Sequence, residues 1–503
     1  FHVAAARRQL EIMKAMGADA VRCAHNPMAP EFYDLCDELG LLVMSELTDV
    51  WKKPKTRYDY ARFFNEWIEK DVKSWITSER NHPSIILWSV GNEIYDTHES
   101  PEGLKTLRKL EALVRQNDPK GNARVTLCSN YMPWKNTQRC ADYIKRIGYN
   151  YSENYYESHH LAHPDWIIFG SETGSLAQSR GVYHFPLRAS VLSDDDMQCS
   201  SLGNSRTSWG AKSADACIIA ERDASFSLGQ FIWSGFDYLG EPTPYHSKNS
   251  FLGLVDTAGL PKDIYYAFQA AWTNARKTPV LHLLPHWDHN EGQMIDVRAY
   301  TNLSAVELFV NGESQGVRQI DPLHGEKITV DWRVPYVPGH IEAVAYDENG
   351  NVVVKARRES FGDAAEIVID AEQTELRADG TDLLFVVISV RDDRGIPVEN
   401  ANNRIKVTVE GAARLVGLDN GNSADFDSFQ GDEKRLFSGK LVAILKAGAE
   451  PGPIVIRVSS PGLPEAKRSL HAKNSEAQAC ASEGEETSEK KEIFPDFSEA
   501  ERT

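Results

Sequence analysis

Apolar residues follow two alternating patterns along the first 276 residues. Short continuous apolar runs are separated by longer stretches in which apolar positions recur every three or four residues. The first pattern predicts strands buried on both faces, and the second predicts amphipathic helices that cover them. The predicted strands are 18–23, 41–46, 85–89, 124–129, 146–150, 166–171 and 230–234, and the predicted helices are 5–16, 30–39, 60–80, 103–117 and 213–227.

Repeated strand–helix units predict a parallel sheet covered by helices. An open doubly wound sheet is the rival to a (β/α)8 TIM barrel, but no G-x-G-x-x-G phosphate turn follows any strand. We therefore expect a TIM barrel. Seven strands are visible where a barrel needs eight, and the chain opens in a helix without an initiating Met. The first strand, with an upstream part of the chain, is expected to be missing, so the visible strands are the second to the eighth.

Beyond about residue 277 the helical pattern gives way to alternating apolar and polar positions, which predict half-buried strands. Asn311-Gly312 and Asn349-Gly350 are typical of hairpin turns. We expect two all-β immunoglobulin-like sandwiches after the barrel. The predicted domains are a truncated TIM barrel over 1–276, an accessory β-sandwich over 277–362, an immunoglobulin-like sandwich over 363–472 and an acidic disordered tail over 473–503.

Composition narrows the classes of function. The net charge of −18 disfavours nucleic acid and anionic membrane surfaces as partners. No apolar run reaches the roughly 18 residues of a membrane span. The seven cysteines form no C-x-x-C pair, which argues against zinc and against a disulfide framework. Free buried thiols favour a reducing, cytoplasmic compartment over secretion, although the compartment stays open because the natural N-terminus is expected upstream. A homo-oligomer is possible.

Two glutamates stand where barrel chemistry is expected, at the C-terminal ends of strands. Glu93 follows the predicted fourth strand of the barrel and Glu172 follows the seventh. A single Glu in such a place is often only a salt-bridge partner. A pair can flank one sugar, as in retaining glycosidases, where the two carboxyl groups lie about 5–5.5 Å apart. One of them must be protonated as the acid and the other ionised as the nucleophile.

Longer motifs make the interpretation specific. The segments R-C-A-H-N-P (22–27), F-Y-D-L-C-D-E-L-G (32–40), R-N-H-P-S (80–84) and W-S-V-G-N-E (88–93) resemble glycoside hydrolase family 2. That family contains β-galactosidases, β-glucuronidases and β-mannosidases. The resemblance implies the barrel, a retaining mechanism, Glu93 as acid/base and Glu172 as nucleophile, with Asn92 on the sugar 2-hydroxyl.

The resemblance covers the chain to about residue 360. Both predicted sandwiches resemble modules that follow the barrel in gut-bacterial β-galactosidases. Family members normally carry a jelly-roll domain and another sandwich before the barrel, and neither precedes it in this sequence. The chain is therefore expected to be a fragment or an incomplete gene product.

Other residues near the predicted strand ends are expected to bind the substrate or support the carboxylates. His25 is expected to bond a sugar hydroxyl, and Arg22 to orient the nucleophile by a charge-assisted bond. Tyr151 is expected to bond Glu172 or to stabilise its neutral form.

Three more residues complete the predicted site. Trp233, at the end of the eighth strand, suits a stacking floor for the sugar. Asp237 is expected to line the rim, and Glu46 at the end of the third strand is expected to bind substrate or to act only as a network partner.

Two predicted loops give information about the substrate and about metal binding. β-Glucuronidases resembling this chain carry an Asn-x-Lys that grips the sugar carboxylate, whereas Asn249 here is followed by Ser250 and Phe251. Segment 48–53 lacks the Glu and His that hold Mg²⁺ in some β-galactosidases, so no metal and no other cofactor are expected.

We therefore expect a retaining exo-β-glycosidase that hydrolyses terminal β-linked sugars of an oligosaccharide or glycoside, with β-galactosides preferred. The alternatives are a β-glucuronidase and, from another class, an inactive carbohydrate-binding scaffold.

Overall fold

The computed structural model describes residues 1–193, 195–200, 213–243 and 245–474. The chain divides into two compact units, one over Phe1–Leu176 and Gly203–Gly235, the other over Ala177–Leu202 and Phe236–Thr503. The predicted disordered tail over 473–503 lies outside the described residues from residue 475 onward.

The first unit contains a parallel sheet whose seven described strands are paired in sequence order. These are β1 (Ala20–Arg22), β2 (Leu42–Glu46), β3 (Ile85–Asn92), β4 (Arg124–Ser129), β5 (Arg146–Asn150), β6 (Ile167–Gly174) and β7 (Gln230–Trp233). The edge strands β1 and β7 approach each other, so the sheet is a nearly closed barrel. The predicted TIM barrel is confirmed, with one strand fewer in the described residues than the eight of a complete barrel.

Helices follow the strands of this unit in turn. They are α1 (Val3–Ala15), α2 (Pro30–Leu39), α3 (Ala61–Glu79), α4 (Tyr95–Glu99), α5 (Glu102–Asn117), α6 (Lys135–Ile144), α7 (Tyr156–Ala162) and α8 (Ala214–Asp223), with a 3₁₀ turn at Glu153–Tyr155. Helix α2 ends as its sequence dictates, because Gly40 adopts the left-handed conformation (φ +70°) that caps a helix without steric cost.

The core of the barrel fixes the strand ends that carry polar residues. Trp75 of α3 packs edge-on against Trp88 of β3, with ring centroids 5.2 Å apart, and both side chains are buried. The indole nitrogen of Trp75 also donates a hydrogen bond to Ser45 Oγ at 2.8 Å. Burial of two Trp side chains stabilises this contact by several kcal/mol, at about 25 cal/mol per Å². Strands β2 and β3 are thereby held in register at the ends that carry Glu46 and Glu93.

The second unit contains two β-sandwiches in sequence order. The first pairs Leu281–Leu284, Met294–Thr301 and Thr329–Pro335 in one sheet, and Glu313–Gln319, Ala305–Val310, His340–Tyr346 and Val352–Glu359 in the other. The second pairs Glu366–Ala371, Leu383–Arg391, Lys440–Ala447 and Ala413–Asp419 in one sheet, and Glu375–Arg377, Ala466–Lys473, Gly452–Ser459, Arg404–Gly411 and Glu433–Arg435 in the other. Each sandwich encloses its own apolar core, as the alternating pattern predicts.

The rest of this unit is a short two-stranded sheet, Val191–Leu192 with Cys199–Ser200, and helix α9 (Asp263–Trp272). Within the described ranges, no helix combines the length and the apolar character needed to cross a membrane. Six cysteines in these ranges are buried free thiols: Cys23, Cys36, Cys128, Cys140, Cys199 and Cys217.

Candidate active site

Glu93 and Glu172 both lie toward the C-terminal ends of barrel strands. Glu93 directly follows β3, and Glu172 lies within β6, two residues before that strand ends. Glu172 is buried and Glu93 is half-buried. In a TIM barrel this is the face that carries chemistry.

Arg22, at the end of β1, connects several of the predicted site residues. Its Nη1 donates to Glu172 Oε1 at 2.8 Å and to the carbonyl of Ser171 at 3.2 Å. Its Nη2 donates to Glu46 Oε1 and Oε2, both at 3.0 Å, and to Asn92 Oδ1 at 2.9 Å. A planar guanidinium suits this task because its donors are fixed in direction. The geometry matches the predicted bond from Arg22 to Glu172.

Glu46 is a fully buried carboxylate that balances the charge of Arg22. Burial alone would raise the pKa of Glu46, but the charge of Arg22 and hydrogen bonds from His25 and Ser89 lower it to about 2. The Ser89 hydroxyl donates to Glu46 Oε2 at 2.7 Å. Glu46 is therefore ionised, and its described contacts are those of a network partner.

His25 is oriented by the same carboxylate. Its Nδ1 lies 2.7 Å from Glu46 Oε1, and because an ionised carboxylate only accepts, this nitrogen must carry the proton. Nε2 lies 3.8 Å from Glu172 Oε1, so the other edge of the ring is turned toward the nucleophile position. In the neutral imidazole, Nε2 can then accept a hydrogen bond from a sugar hydroxyl.

Asn150, at the end of β5, links the end of β3 to β6. Its Nδ2 donates to Asn92 Oδ1 and to Glu93 Oε1, both at 2.9 Å, and its Oδ1 accepts from the Ser171 hydroxyl at 2.6 Å. The sequence prediction missed Asn150, as well as Ser89 and Ser171. A polar residue at the end of an otherwise apolar predicted strand was the available signal for all three.

Burial raises the pKa of Glu93, and the negative charge of Glu172 raises it further. The hydrogen bond from Asn150 and the charges of Lys55 and His25 oppose this rise without cancelling it. Glu172 instead forms an ion pair with the guanidinium of Arg22. The surroundings of Glu93 therefore favour its protonated form, whereas Glu172 lies in direct contact with a cation.

The charges of both Glu172 and Glu93 act on the hydroxyl of Tyr151. Burial raises the pKa of its hydroxyl well above the ordinary value, and the charge of Glu172, to which that hydroxyl bonds, raises it further. Tyr151 therefore stays protonated and donates to Glu172. Glu93 and Tyr151 also adopt left-handed backbone conformations, with φ of 48° and 49°. Such strain costs of order 1–3 kcal/mol per residue and concentrates at functional sites.

Trp233 ends β7 and forms a flat aromatic surface with His25. Their ring centroids are 5.2 Å apart and the planes differ by 10°. This stack joins the ends of β7 and β1, on the same unit as the carboxylates. The predicted role of Trp233 as a stacking floor for the sugar stays a prediction.

Asp237 belongs to the second unit, and its described contacts are those of a buried ion pair. Its Oδ1 accepts from Lys262 Nζ at 2.7 Å and from the backbone nitrogen of Gly253 at 2.8 Å, and neither charged side chain is exposed. Burial raises the pKa of Asp237 to about 7 although Lys262 opposes the rise. Its predicted place at the rim of a sugar site stays a prediction.

Glycoside hydrolases use a pair of carboxyl groups, and a TIM barrel carries its chemistry at these strand ends. Comparison with known proteins identifies the family. Residues 1–172 match the model of the glycosyl hydrolases family 2 TIM barrel domain. Residues 367–469 match glycoside hydrolase family 2 C-terminal domain 5, and residues 292–354 match a domain of unknown function (DUF4982). The chain belongs to glycoside hydrolase family 2.

Individual relatives carry different substrate names. The β-galactosidase BoGH2A of Bacteroides ovatus is 36% identical over 93% of this chain and 59% of its own length. A putative β-glucuronidase of Formosa agariphila is 32% identical over 88% of this chain and 44% of its own length. The crystal structure of a β-glycosidase from Bacteroides vulgatus matches with a TM-score of 0.82 and 31% identity, over 93% of this chain and 61% of its own. The chain thus spans less than two thirds of each.

Proposed function

We propose that this chain carries the catalytic barrel of a retaining exo-β-glycosidase, with Glu93 as acid/base and Glu172 as nucleophile. The observation that carries the proposal is the contrast between the two carboxyl groups. Arg22 places a positive charge 2.8 Å from Glu172, whereas Glu93 is bonded by the neutral amide of Asn150 and has a raised pKa. A carboxyl group with a raised pKa next to one that is paired with a cation supports the roles of acid and nucleophile.

The same environments support a double displacement. Glu172 attacks C1 of the sugar while Glu93 gives its proton to the glycosidic oxygen, and the aglycone leaves. The glycosyl ester removes the negative charge of Glu172, which is the second cause of the raised pKa of Glu93. The pKa of Glu93 therefore falls at this stage. It accepts one from water as that water attacks C1, and Glu172 is released.

Three neighbours hold the sugar in this scheme. Asn92 is fixed by Arg22 and Asn150, and its amide group would bond the 2-hydroxyl. His25 would accept from another hydroxyl through Nε2, and the ring of Trp233 would stack on the apolar face of the sugar.

We favour a β-galactoside as substrate. The relative named a β-galactosidase has 36% identity, above the 32%, 29% and 28% of relatives named as putative or established β-glucuronidases. In the second unit, the residues at and beside the positions compared with the glucuronidase Asn-x-Lys motif are buried or bonded to other parts of that unit. Phe251 is buried, Asn249 donates to the Ser423 hydroxyl, and Lys248 donates to the carbonyl of Asp425 at 2.6 Å. A β-glucuronidase is the second candidate because of the names of those relatives.

A substrate panel separates these candidates. Aryl β-galactoside, β-glucuronide and β-mannoside are tested on the longest natural chain that contains these residues. Turnover of the galactoside with little turnover of the others is the expected result. Preference for the glucuronide would overturn the substrate assignment, and no turnover of any would favour the inactive scaffold.

Azide tests the roles of the two carboxylates. Glu172→Ala should be inactive and, with added azide, should yield the α-glycosyl azide by direct displacement. Glu93→Ala should form the glycosyl enzyme from an activated aryl substrate and should yield the β-azide. Glu111→Gln is the matched control, because Glu111 is also buried but is bonded by Arg115 on α5. Identical azide anomers from both variants would contradict the assignment.

A further inference from the structure

Four aromatic residues in the segments after β3 and β4 form one cluster, here named the aromatic wall: Tyr95 and His98 on α4, and Tyr131 and Trp134 in the loop after β4. His98 stacks on Tyr131 with ring centroids 3.6 Å apart and planes 26° apart. Trp134 lies 5.4 Å from His98, and Tyr95 lies 5.6 Å from His98 and 6.2 Å from Tyr131. The proposed mechanism uses none of these residues.

Hydrogen bonds of the backbone fix the wall before any ligand arrives. The backbone nitrogen of Tyr131 donates to Ser129 Oγ at 3.0 Å, and that of Trp134 donates to the carbonyl of Tyr131 at 3.0 Å. Asn136 Nδ2 donates to the carbonyl of His98 at 3.2 Å, which ties the two loops together. A preorganised surface loses little entropy when it binds a ligand.

The wall is only partly covered by the rest of the chain. The side chains of Tyr95, His98 and Tyr131 are half-buried, while Trp134 is 56% exposed. An exposed Trp beside other rings is a common anchor for ligands.

The wall adjoins the proposed acid. Tyr95 follows Glu93 by two residues, and the charge of Glu93 contributes, after burial and Tyr95, to raising the pKa of Tyr131 to about 12. The floor formed by His25 and Trp233 instead follows β1 and β7, the two edges of the sheet. Strands β3 and β4 are central in the strand order, so a nearly closed barrel places the wall across the mouth from the floor.

We propose that the aromatic wall binds the aglycone and selects aglycones with a flat apolar face, either an aryl ring or the C–H face of a second pyranose. The inference rests on the proposed function, because it takes Glu93 as the acid. The acid touches the glycosidic oxygen, so the leaving group must lie on its side of the sugar. The floor across the mouth is left for the glycone, and the wall is the aromatic surface next to Glu93.

Three substrates that share one sugar test this assignment. The β-glycosyl fluoride has no ring beyond the scissile bond, whereas the aryl glycoside and the β-linked disaccharide have an aromatic and a pyranose aglycone. Trp134→Ala should lower kcat/KM for one or both ring-bearing substrates by roughly 3- to 10-fold, the size of a lost aromatic contact. It should leave the fluoride unchanged. The substrate that loses activity identifies the aglycone class.

Matched variants separate binding from folding. Trp134→Phe should recover most of the lost activity because it keeps a flat face. Trp67→Ala is the control, since Trp67 is a 44% exposed Trp on α3 with Lys70 over its ring, outside the wall. An equal loss for all three substrates, or no loss for any, would overturn the aglycone site while leaving the proposed function standing. A wild-type protein that hydrolyses none of the three would overturn both.

Discussion

Arg22 and Glu172 are joined by a 2.8 Å bond between Nη1 and Oε1, although β1 and β6, which carry them, are not neighbours in the sheet. The bond therefore spans the barrel mouth rather than following a strand pairing. It fixes the carboxylate from one side while Tyr151 holds it from another. A nucleophile held in this way is preorganised for attack.

Replacement of Arg22 should reduce both activity and stability. Arg22→Lys keeps a charge but loses the fixed fork, and we expect kcat to fall by roughly 10- to 100-fold, the effect of a misplaced catalytic group. Arg22→Ala also leaves Glu46 buried without its cation and should cost about 3–5 kcal/mol of unfolding free energy. Steady-state kinetics and denaturant unfolding measure the two effects. Arg7→Lys, on a surface pair with Glu38, is the control, and unchanged kcat in Arg22→Ala would contradict the role of Arg22.

The pH profile should report Glu93. An acid works only while protonated, so kcat/KM should fall as pH rises through the raised pKa of Glu93. The charge of Lys55 lowers that pKa, so Lys55→Met should move the alkaline limb to higher pH by a few tenths of a unit. Lys53→Met is the control, because Lys53 pairs with Glu99 instead. A limb that stays in place, or moves to lower pH, would exclude Glu93 as the titrating acid.

Glu79 should make the stability of the first unit depend on pH. Burial raises its pKa to about 7, against hydrogen bonds that include one from the Ser45 hydroxyl at 2.6 Å. Its contribution to stability is present below the unfolded pKa of about 4.3 and is lost as pH rises through 7. Glu79→Gln should remove this loss, worth of order 1–3 kcal/mol. Unfolding free energies of the wild-type protein and of Glu79→Gln at pH 5 and pH 8 measure this loss. An equal change between the two pH values in both proteins would contradict the role of Glu79.

Substitutions of Asp237 and Lys262 should have strongly non-additive effects on the free energy of unfolding. Either single change, Asp237→Asn or Lys262→Met, leaves a buried partner without its charge and should cost about 3–5 kcal/mol. The double variant should be less destabilised than the sum of the two. Unfolding free energies of the four proteins complete the cycle. Additive effects on stability, with a large rise in KM for Asp237→Asn, would instead favour the predicted role of Asp237 in sugar binding.

Local pattern was enough to predict most of the barrel. The seven predicted strands overlap β1 to β7, because strands buried on both faces must be continuously apolar. Helices α4, α6 and α7 were missed. Helices α4 and α7 are 5 and 7 residues long, so few turns are available to show a helical period, and α6 begins with five polar residues, which leaves little apolar pattern. Short strands such as Glu375–Arg377 and Glu433–Arg435 were missed for the same reason.

The sequence by itself determined the parallel barrel, the two sandwiches and the positions of Glu93 and Glu172 near strand ends. These follow from periodicity and from motif residues close together in the chain. Only the tertiary structure decided that Arg22 also bonds Glu46 and Asn92, and that Asn150 links Asn92 to Glu93. Hydrogen bonds between strand ends depend on barrel closure and side-chain direction, which leave no periodic trace in the sequence. The contrast between the two carboxyl groups therefore became visible only in the fold.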